Sequence, residues 1–112
     1  MSRDLGYLVD IGLAIQEALE FVEGITWEAF TTDRKTQAAV MHELTIIGEA
    51  ARRVSADFRT HHDELPWPDM IGVRNRIVHE YDHIKLDILW DTLKTDLPSL
   101  LKQIEPLIEN EE

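Results

Sequence analysis

The segment LGYLVDIGLAIQEALEFV (Leu5–Val22) decides the fold class, because two apolar stripes run along it at helical spacing. One stripe consists of Leu5, Leu8, Gly12, Ile15, Leu19 and Val22, and its neighbour of Tyr7, Ile11, Ala14, Ala18 and Phe21. Together they make a helix that is apolar over more than one face, which indicates burial against a partner as well as against the core. We predict that this first helix begins with an N-cap at Ser2 and ends with a C-cap at Gly24.

The central part of the chain predicts a second long helix. Thr26 is expected to cap a short turn, and the long helix is expected over residues 33–55. Its inward side chains are predicted to be Val40, Leu44, Ile47, Ala51 and Val54. Gly48 lies inside this helix, where it lowers helix stability but allows another helix to approach closely. Residues 57–66 are predicted to form a loop.

The C-terminal part predicts two more helices, over about residues 66–82 and about 82–109. The earlier one starts at Pro-Trp-Pro-Asp, because proline is tolerated in a first helical turn and aspartate favours its positive end. Pro98 must kink or restart the later one. No run alternates with a period of two, so we expect no strands. The chain is therefore expected to be a single all-α domain over 1–112, an antiparallel bundle of four to five helices.

Composition limits the class of protein. With 112 residues, 44% of them hydrophobic, the chain is long enough to bury a core. It has no cysteine, so disulfides and thiolate metal sites are excluded. No stretch approaches the roughly 18 apolar residues that a membrane span needs, and the N-terminus lacks a basic leader followed by an apolar run. We expect a cytoplasmic protein without a membrane segment.

The charge of the chain is uneven. The net charge is −11, which argues against a broad nucleic-acid surface. Residues 50–85, however, hold six of the 11 cations, six acids and four of the five histidines. A local phosphate site on an acidic body is therefore possible, and most of the acids elsewhere are expected to serve solubility.

The motif RNRIVHEY (residues 74–81) lies within residues 50–85, where acids and cations balance, and it holds the side chains best suited to catalysis. Arginine is a permanent cation shaped for phosphate, and histidine is the side chain best suited to move protons near neutral pH. On an ideal helix Arg74 and His79 lie about 140° apart in azimuth, so they do not share a face. Asn75 shares a face with His79 and could hydrogen-bond to its ring, which would fix the tautomer and orientation of the imidazole.

Two routes could bring Arg74 and His79 to one phosphate. Either the last helical turn tightens or unwinds, or the arginine of one subunit serves the histidine of another. His79 would then act as general base on a ribose 2′-OH or as general acid on the leaving 5′-oxygen. Arg74, with Arg76 as a second candidate, would stabilise charge on the phosphate. This chemistry cuts RNA and not DNA, and it requires no metal and no cofactor.

The same residues resemble a known family. Arg74-Asn75 through His79-Glu80-Tyr81-Asp82, preceded by Leu65-Pro66-Trp67 and followed by Trp90, resembles the HEPN superfamily. The resemblance is closest to its HepT branch, the ribonuclease toxin of type VII HepT–MntA toxin–antitoxin pairs. Ile47-Gly48-Glu49-Ala50-Ala51 resembles the second-helix signature of that branch. The similarity extends over nearly the whole chain, and Arg-x4-His-x-Tyr is its most specific part.

The resemblance implies a homodimer in which two motifs form one RNA-cleaving cleft. It assigns catalysis to Arg74 and His79 and a supporting polar position to Asn75. It also implies that an MntA-type nucleotidyltransferase antitoxin silences the toxin by attaching AMP to Tyr81. An alternative within the same family is a helical module without catalysis that binds a nucleotidyltransferase or a nucleotide.

Simpler interpretations remain open for each motif. Arg74 could pair with an acid while His79 caps a helix C-terminus, and Tyr81 could be a half-buried aromatic residue. The segment from His79 to His83 matches the zinc protease pattern H-E-x-x-H, but it requires one continuous helix. We expect a turn there, with Asp82 as the N-cap of the next helix.

Two further groups of side chains have a structural interpretation. The ligand-rich run His61-His62-Asp63-Glu64 is expected to be solvated surface, because it lies in a polar predicted loop. Trp67 and Trp90 are expected to pack between helices rather than to stack on bases.

Overall fold

The computed structural model describes residues 3–111, with side chains for residues 3–109, and this part of the chain is helical without a strand. Seven α-helices and one π-helical segment follow one another. They are α1 (Arg3–Phe21), α2 (Trp27–Thr32), α3 (Arg34–Arg53), α4 (Ala56–His61), α5 (Trp67–Glu80), α6 (Leu86–Asp91), the π segment (Thr92–Asp96) and α7 (Leu97–Glu111). The all-α prediction is confirmed.

Local capping explains where the first helices begin and end. The predicted N-cap Ser2 lies outside the described residues. Helix α1 ends at Phe21, three residues before Gly24, which takes the left-handed conformation (φ 74°) that favours glycine. The hydroxyl of Thr26 accepts from the N–H of Ala29 and caps α2, as predicted. Asp33 caps α3 by accepting from the N–H of Thr36.

Helix α3 is the centre of the bundle. It packs against α1 on one side and against α5 on another, while α7 covers α1. The five inward side chains predicted for α3 are all buried. They join a continuous apolar core that includes Leu8, Ile11 and Ile15 of α1 and Leu93, Leu100 and Ile104 of the C-terminal part.

The loop predicted over residues 57–66 is wrong in its first half, because α4 occupies Ala56–His61. Ser55 caps this short helix by accepting from the N–H of Phe58. Ser55 is itself held by Asp4 of α1, whose carboxylate accepts from the Ser55 N–H at 2.8 Å and from its hydroxyl at 2.7 Å. The contact between Asp4 and Ser55, 51 residues apart in the sequence, thus supports the start of α4. The six residues of this helix show little periodicity of their own.

The last helix is interrupted, as Pro98 required. Helix α6 widens into the π segment, in which the Leu97 N–H donates to the Thr92 carbonyl five residues earlier. Pro98 then lies in the first turn of α7, where its missing N–H costs little. The predicted N-cap at Asp82 is wrong. A turn over 81–83 delays the start of α6, so the N-cap of this helix is Lys85. Lys85 makes no side-chain cap hydrogen bond.

One acid is buried at the contact between α1 and α3. Glu43 of α3 is 2% exposed. Its burial, together with a hydrogen bond to Glu17 of α1 and repulsion from that carboxylate, raises the pKa of Glu43 to about 7. Glu43 therefore keeps its proton in a large fraction of molecules near neutral pH.

No helix in the described part of the chain is long and apolar enough to cross a membrane.

Candidate functional site

Helix α5 presents the motif on its solvent side because its other side chains anchor it. Trp67 is 5% exposed, and its indole N–H donates to the carbonyl of His62 at 2.9 Å. Met70 and Ile77 are also buried. Tryptophan 67 is thus a packing residue, as predicted, and it fixes the start of the helix that carries the motif.

Gly48 brings α5 unusually close to α3. A Cβ atom built on Gly48 would lie 2.1 Å from the Cβ of Arg74 and 2.9 Å from the carbonyl oxygen of Met70. Any side chain at position 48 would therefore push α5 away. The predicted close approach at this glycine is confirmed, and the residue that approaches is Arg74.

The guanidinium of Arg74 is held from two directions. Its Nη2 lies 2.5 Å from a carboxylate oxygen of Glu49 on α3, and its Nη1 donates to Oδ1 of Asn75 at 2.9 Å. The side chain is 23% exposed. Its Nε is buried and makes no hydrogen bond within the described part of the chain. Arg74 therefore pairs with an acid, as the simpler interpretation expected, and it is fixed in orientation.

Glu49 is the centre of a cluster of arginines. A hydrogen bond from Arg52 lowers the pKa of Glu49 most, and the charges of Arg52, Arg74 and Arg53 lower it further against the effect of burial. Three cations around one carboxylate leave this patch with a local positive excess. Such an excess is what an anionic ligand requires on a chain that is acidic elsewhere.

His79 lies in the last turn of α5 and is exposed. Within the described residues it makes no hydrogen bond or ion pair. The hydrogen bond that Asn75 could make to His79 is not found, because the side-chain oxygen of Asn75 accepts from Arg74 instead. The imidazole is therefore free to meet a substrate, but this chain alone does not orient it.

Arg76 and Tyr81 also lie on the outside. Arg76 is 3.7 Å from Glu80, one turn later, and both side chains are about half exposed, so this pair contributes little to stability. Tyr81 is the C-cap of α5 and is 54% exposed. About half of Tyr81 is therefore buried, as in the simpler interpretation, but its hydroxyl has no hydrogen-bond partner among residues 3–109.

Arg74 and His79 stay on one continuous helix, since α5 extends to Glu80. The five-residue separation therefore keeps them about 140° apart around the axis, and the last turn does not unwind before His79. Of the two predicted routes to a shared phosphate, unwinding is absent in this state, whereas pairing across two subunits needs no change in α5.

The zinc alternative lacks its helix. The turn over 81–83 separates His79 from His83, and no three His, Asp or Glu side chains within the described range converge as metal ligands. The two histidines of the run His61-His62-Asp63-Glu64, which starts at the last residue of α4, make short-range contacts. His61 Nδ1 contacts the carbonyl of Asp57 at 2.7 Å, and His62 lies 3.5 Å from Glu64.

The second tryptophan packs between helices. The ring of Trp90 contacts Phe30 at a centroid distance of 5.1 Å and Trp27 at 5.8 Å, as predicted for a packing role. Lys94 lies over its outer face at 4.7 Å from the ring centroid.

The model of a protein family described as "Ribonuclease HepT-like" matches residues 11–107. The chain belongs to this family. The matched range includes α3 and α5, which together hold Gly48, Glu49, Arg74 and His79. The resemblance to the HEPN superfamily and its HepT branch is thereby confirmed.

Curated relatives of this HepT-like protein cover almost all of it. "Probable ribonuclease HepT" of Thermococcus cleftensis is 43% identical over 101 residues, which are 90% of this chain and 92% of that protein. "Putative RNase TTE0752" of Caldanaerobacter subterraneus is 33% identical over 111 residues, 99% of each chain. No solved structure matches the chain significantly.

Glu49 is the site residue to which the sequence alone assigned no role. It belongs to the second-helix signature, but its pairing with Arg74 depends on the packing of α3 against α5. The sequence did hold one signal, a glutamate directly after a glycine inside a helix. If the glycine marks a close contact with another helix, the next side chain lies beside that contact.

Proposed function

We propose that this HepT-like protein is an endoribonuclease that cleaves RNA without a metal ion at a site containing Arg74 and His79. One observation carries the proposal: a fixed, half-buried arginine precedes an exposed, unpartnered histidine on one helix of a chain from a ribonuclease family. Relatives named as ribonucleases over nearly their full length support the same activity. The proposed product ends are a 2′,3′-cyclic phosphate and a 5′-hydroxyl.

Arg74 would bind the scissile phosphate. Glu49 and Asn75 each use one terminal nitrogen of the guanidinium, and an arginine presents five N–H donors. The remaining donors can serve a phosphate once RNA displaces or rotates part of this arrangement. Holding the guanidinium beforehand lowers the entropic cost of placing it on the transition state.

His79 would transfer protons. One imidazole can remove the proton of the 2′-OH, and a second can protonate the leaving 5′-oxygen. We propose that the second imidazole and the matching arginine come from another copy of the chain in a homodimer. The exposed apolar side chains of Leu13 and Phe21 on α1 and of Val78 beside His79 support such an association.

The proposed control of the activity involves Tyr81. With 54% of its surface exposed, Tyr81 is open to a nucleotidyltransferase antitoxin, which would transfer AMP from ATP to the phenol oxygen and release pyrophosphate. The added phosphate and nucleoside would repel and obstruct RNA near the site. Arg76 would contribute general attraction to the RNA backbone, since its surface pair with Glu80 is weak.

The proposal is tested by incubating the purified chain with tRNA and with mRNA in excess chelator. Replacing the exposed His79 with alanine should lower cleavage by about 10²- to 10⁴-fold, as expected for the loss of a general acid or base. The circular dichroism spectrum and the melting temperature should stay unchanged. A 2′-deoxy substitution at the cleavage position should block that position only.

The absence of cleavage by the wild-type chain, while it still binds a nucleotidyltransferase, would argue for the non-catalytic alternative. A His79→Ala variant that cleaves RNA and arrests growth as strongly as the wild type would instead remove His79 from the mechanism. The matched control is His83→Ala, because His83 is also exposed and lies in the turn that follows α5.

A further inference from the structure

A groove beside the motif has no role in the chemistry described so far. It has a volume of about 390 Å³, within the roughly 300–1,000 Å³ of small-ligand sites. It lies between the N-terminal part of α3 and the segment that follows α5, and Tyr81 forms part of its wall. Since Tyr81 directly follows the helix that carries His79, the groove adjoins the proposed cleavage site.

The lining of the groove combines three different properties. Met41, which is 7% exposed, provides an apolar floor, and Leu86 and the exposed ring of Tyr81 provide walls. Gln37 provides a fixed hydrogen-bond acceptor, because its Nε2 donates to the Phe30 carbonyl at 2.8 Å and leaves Oε1 toward other partners. Arg34 provides an exposed cation that makes no ion pair within the part of the chain that the structure describes.

These properties match the parts of a nucleotide. A base has a flat apolar face that stacks on an aromatic ring and a polar edge that reaches an amide. Its phosphate requires a cation, and an unpaired arginine is well suited to it. We propose that this groove is a nucleotide subsite of the ribonuclease, which holds a nucleotide of the RNA next to the cleaved linkage. The inference rests on the proposed ribonuclease function and adds where the substrate binds.

A second cavity, inside the bundle, does not fit a nucleotide phosphate. It measures about 220 Å³ and lies between α3, α5 and the C-terminal helices. Asp69 and Asp96 both line it, and the pKa of Asp96 is raised by burial and by the charges of Asp69 and Asp91. A phosphate there would meet two carboxylates and no cation, whereas the groove at Tyr81 has one carboxylate, Asp82, together with the cation Arg34.

The subsite is tested with two variants in the groove and two matched controls. Ala38→Phe fills the groove from an exposed position of α3, and Ala29→Phe adds the same ring to an exposed position of α2 that does not line it. Arg34→Ala removes the cation, and Lys35→Ala removes the neighbouring exposed cation outside the groove. Binding of a fluorescein-labelled RNA decamer is measured by anisotropy in the His79→Ala chain, and cleavage is measured in the otherwise wild-type chain.

We expect each groove variant to weaken decamer binding about tenfold and to raise KM, while kcat stays within about twofold of the wild-type value. Each control variant should stay within about twofold of the wild type in every measurement. Arg34→Ala should also reduce the slope of log Kd against log salt by about 0.7, the value for one single-strand phosphate contact. If the wild type cleaves the decamer and both groove variants bind and cleave it as well as the wild type, the subsite is overturned but the proposed ribonuclease function is not. A wild-type chain that neither binds nor cleaves the decamer would overturn the subsite together with the proposed function.

Discussion

The two faces of α3 carry glutamates in opposite electrostatic surroundings. Toward α1, Glu43 is buried against Glu17, and its pKa is raised to about 7. Toward α5, Glu49 accepts from Arg52 and contacts Arg74, and its pKa is lowered. The two residues are of the same type, lie on the same helix and are six positions apart. Their neighbours, and not their own chemistry, decide which one holds a proton and which one holds a cation.

The difference separates a contact that serves packing from one that serves a site. The contact between α1 and α3 has an acid, Glu43, that pairs with no cation in the described part of the chain, and this contact loses stability when Glu43 ionises. The contact between α3 and α5 is organised around a glycine and an arginine, so that a cation is fixed at the surface of a chain with a net charge of −11.

The largest effect is expected at Gly48. Replacing it with alanine places a methyl group 2.1 Å from the Cβ of Arg74, so α5 must move away from α3. We expect a loss of about 3 kcal/mol in the free energy of unfolding, at the upper end for overpacked contacts, measured by urea denaturation. RNA cleavage should fall as well, because Arg74 moves with α5.

Gly72 is the matched control, because it lies in α5 but has nothing within 4 Å of its added Cβ. Gly72→Ala should stabilise the protein by about 0.5–1 kcal/mol, since alanine is the better helix former. A Gly48→Ala chain as stable as the wild type would show that the two helices can separate at no cost, and the account of this contact would be wrong.

The next effect is a pH dependence at Glu43. Its folded pKa of about 7 lies above the ordinary value of 4.5, so the folded state binds more protons between these values and stability falls as pH rises through them. Glu43→Gln should remove this fall and stabilise the protein by about 2 kcal/mol at pH 8, with little change at pH 4.5. Thermal unfolding across pH 4–8 measures both. A variant that is less stable than the wild type at pH 8 would mean that ionised Glu43 is stabilised by a partner.

The smallest effect on stability is expected at Glu49, because this carboxylate is partly exposed. Its pKa is lowered, so its contribution to stability is present above pH 4.5 and is lost as pH falls. Glu49→Gln should therefore lose less stability than the wild type between pH 5 and 3. At neutral pH it should lower RNA cleavage by about tenfold, because Arg74 is no longer held. Unchanged cleavage would exclude Glu49 as a positioning residue.

Sequence reasoning predicted the long helices and missed what depends on distant contacts. Periodic apolar residues and the caps at Thr26 and Asp33 define α1 to α3 locally. Helix α4 was predicted as a loop because its support comes from Asp4, far away in the sequence. A turn over 81–83 moves the N-cap of α6 from Asp82 to Lys85, and Lys85 makes no side-chain cap hydrogen bond that its residue type could have signalled.

The candidate site was predicted in part for the same reason. Arg74 and His79 were named from their residue types and spacing, and Tyr81 from the family resemblance; the structure places His79 and Tyr81 at the surface. The partner of Arg74 is Glu49, which required knowledge of how α3 meets α5. The hydrogen bond that Asn75 could make to His79 is absent because the amide has a better donor in the adjacent guanidinium.

The joint action of Arg74 and His79 on one phosphate is tested most directly by a double-mutant cycle on kcat/KM for a defined RNA. The chains are wild type, Arg74→Lys, His79→Ala and the double variant, since lysine keeps the charge and most of the packing stem next to Gly48. If both groups serve the same transition state, the double variant should lose about as much activity as the more damaging single variant. If the double variant instead loses activity by the full product of the two single-variant factors, the two residues act independently, and the shared site would be contradicted.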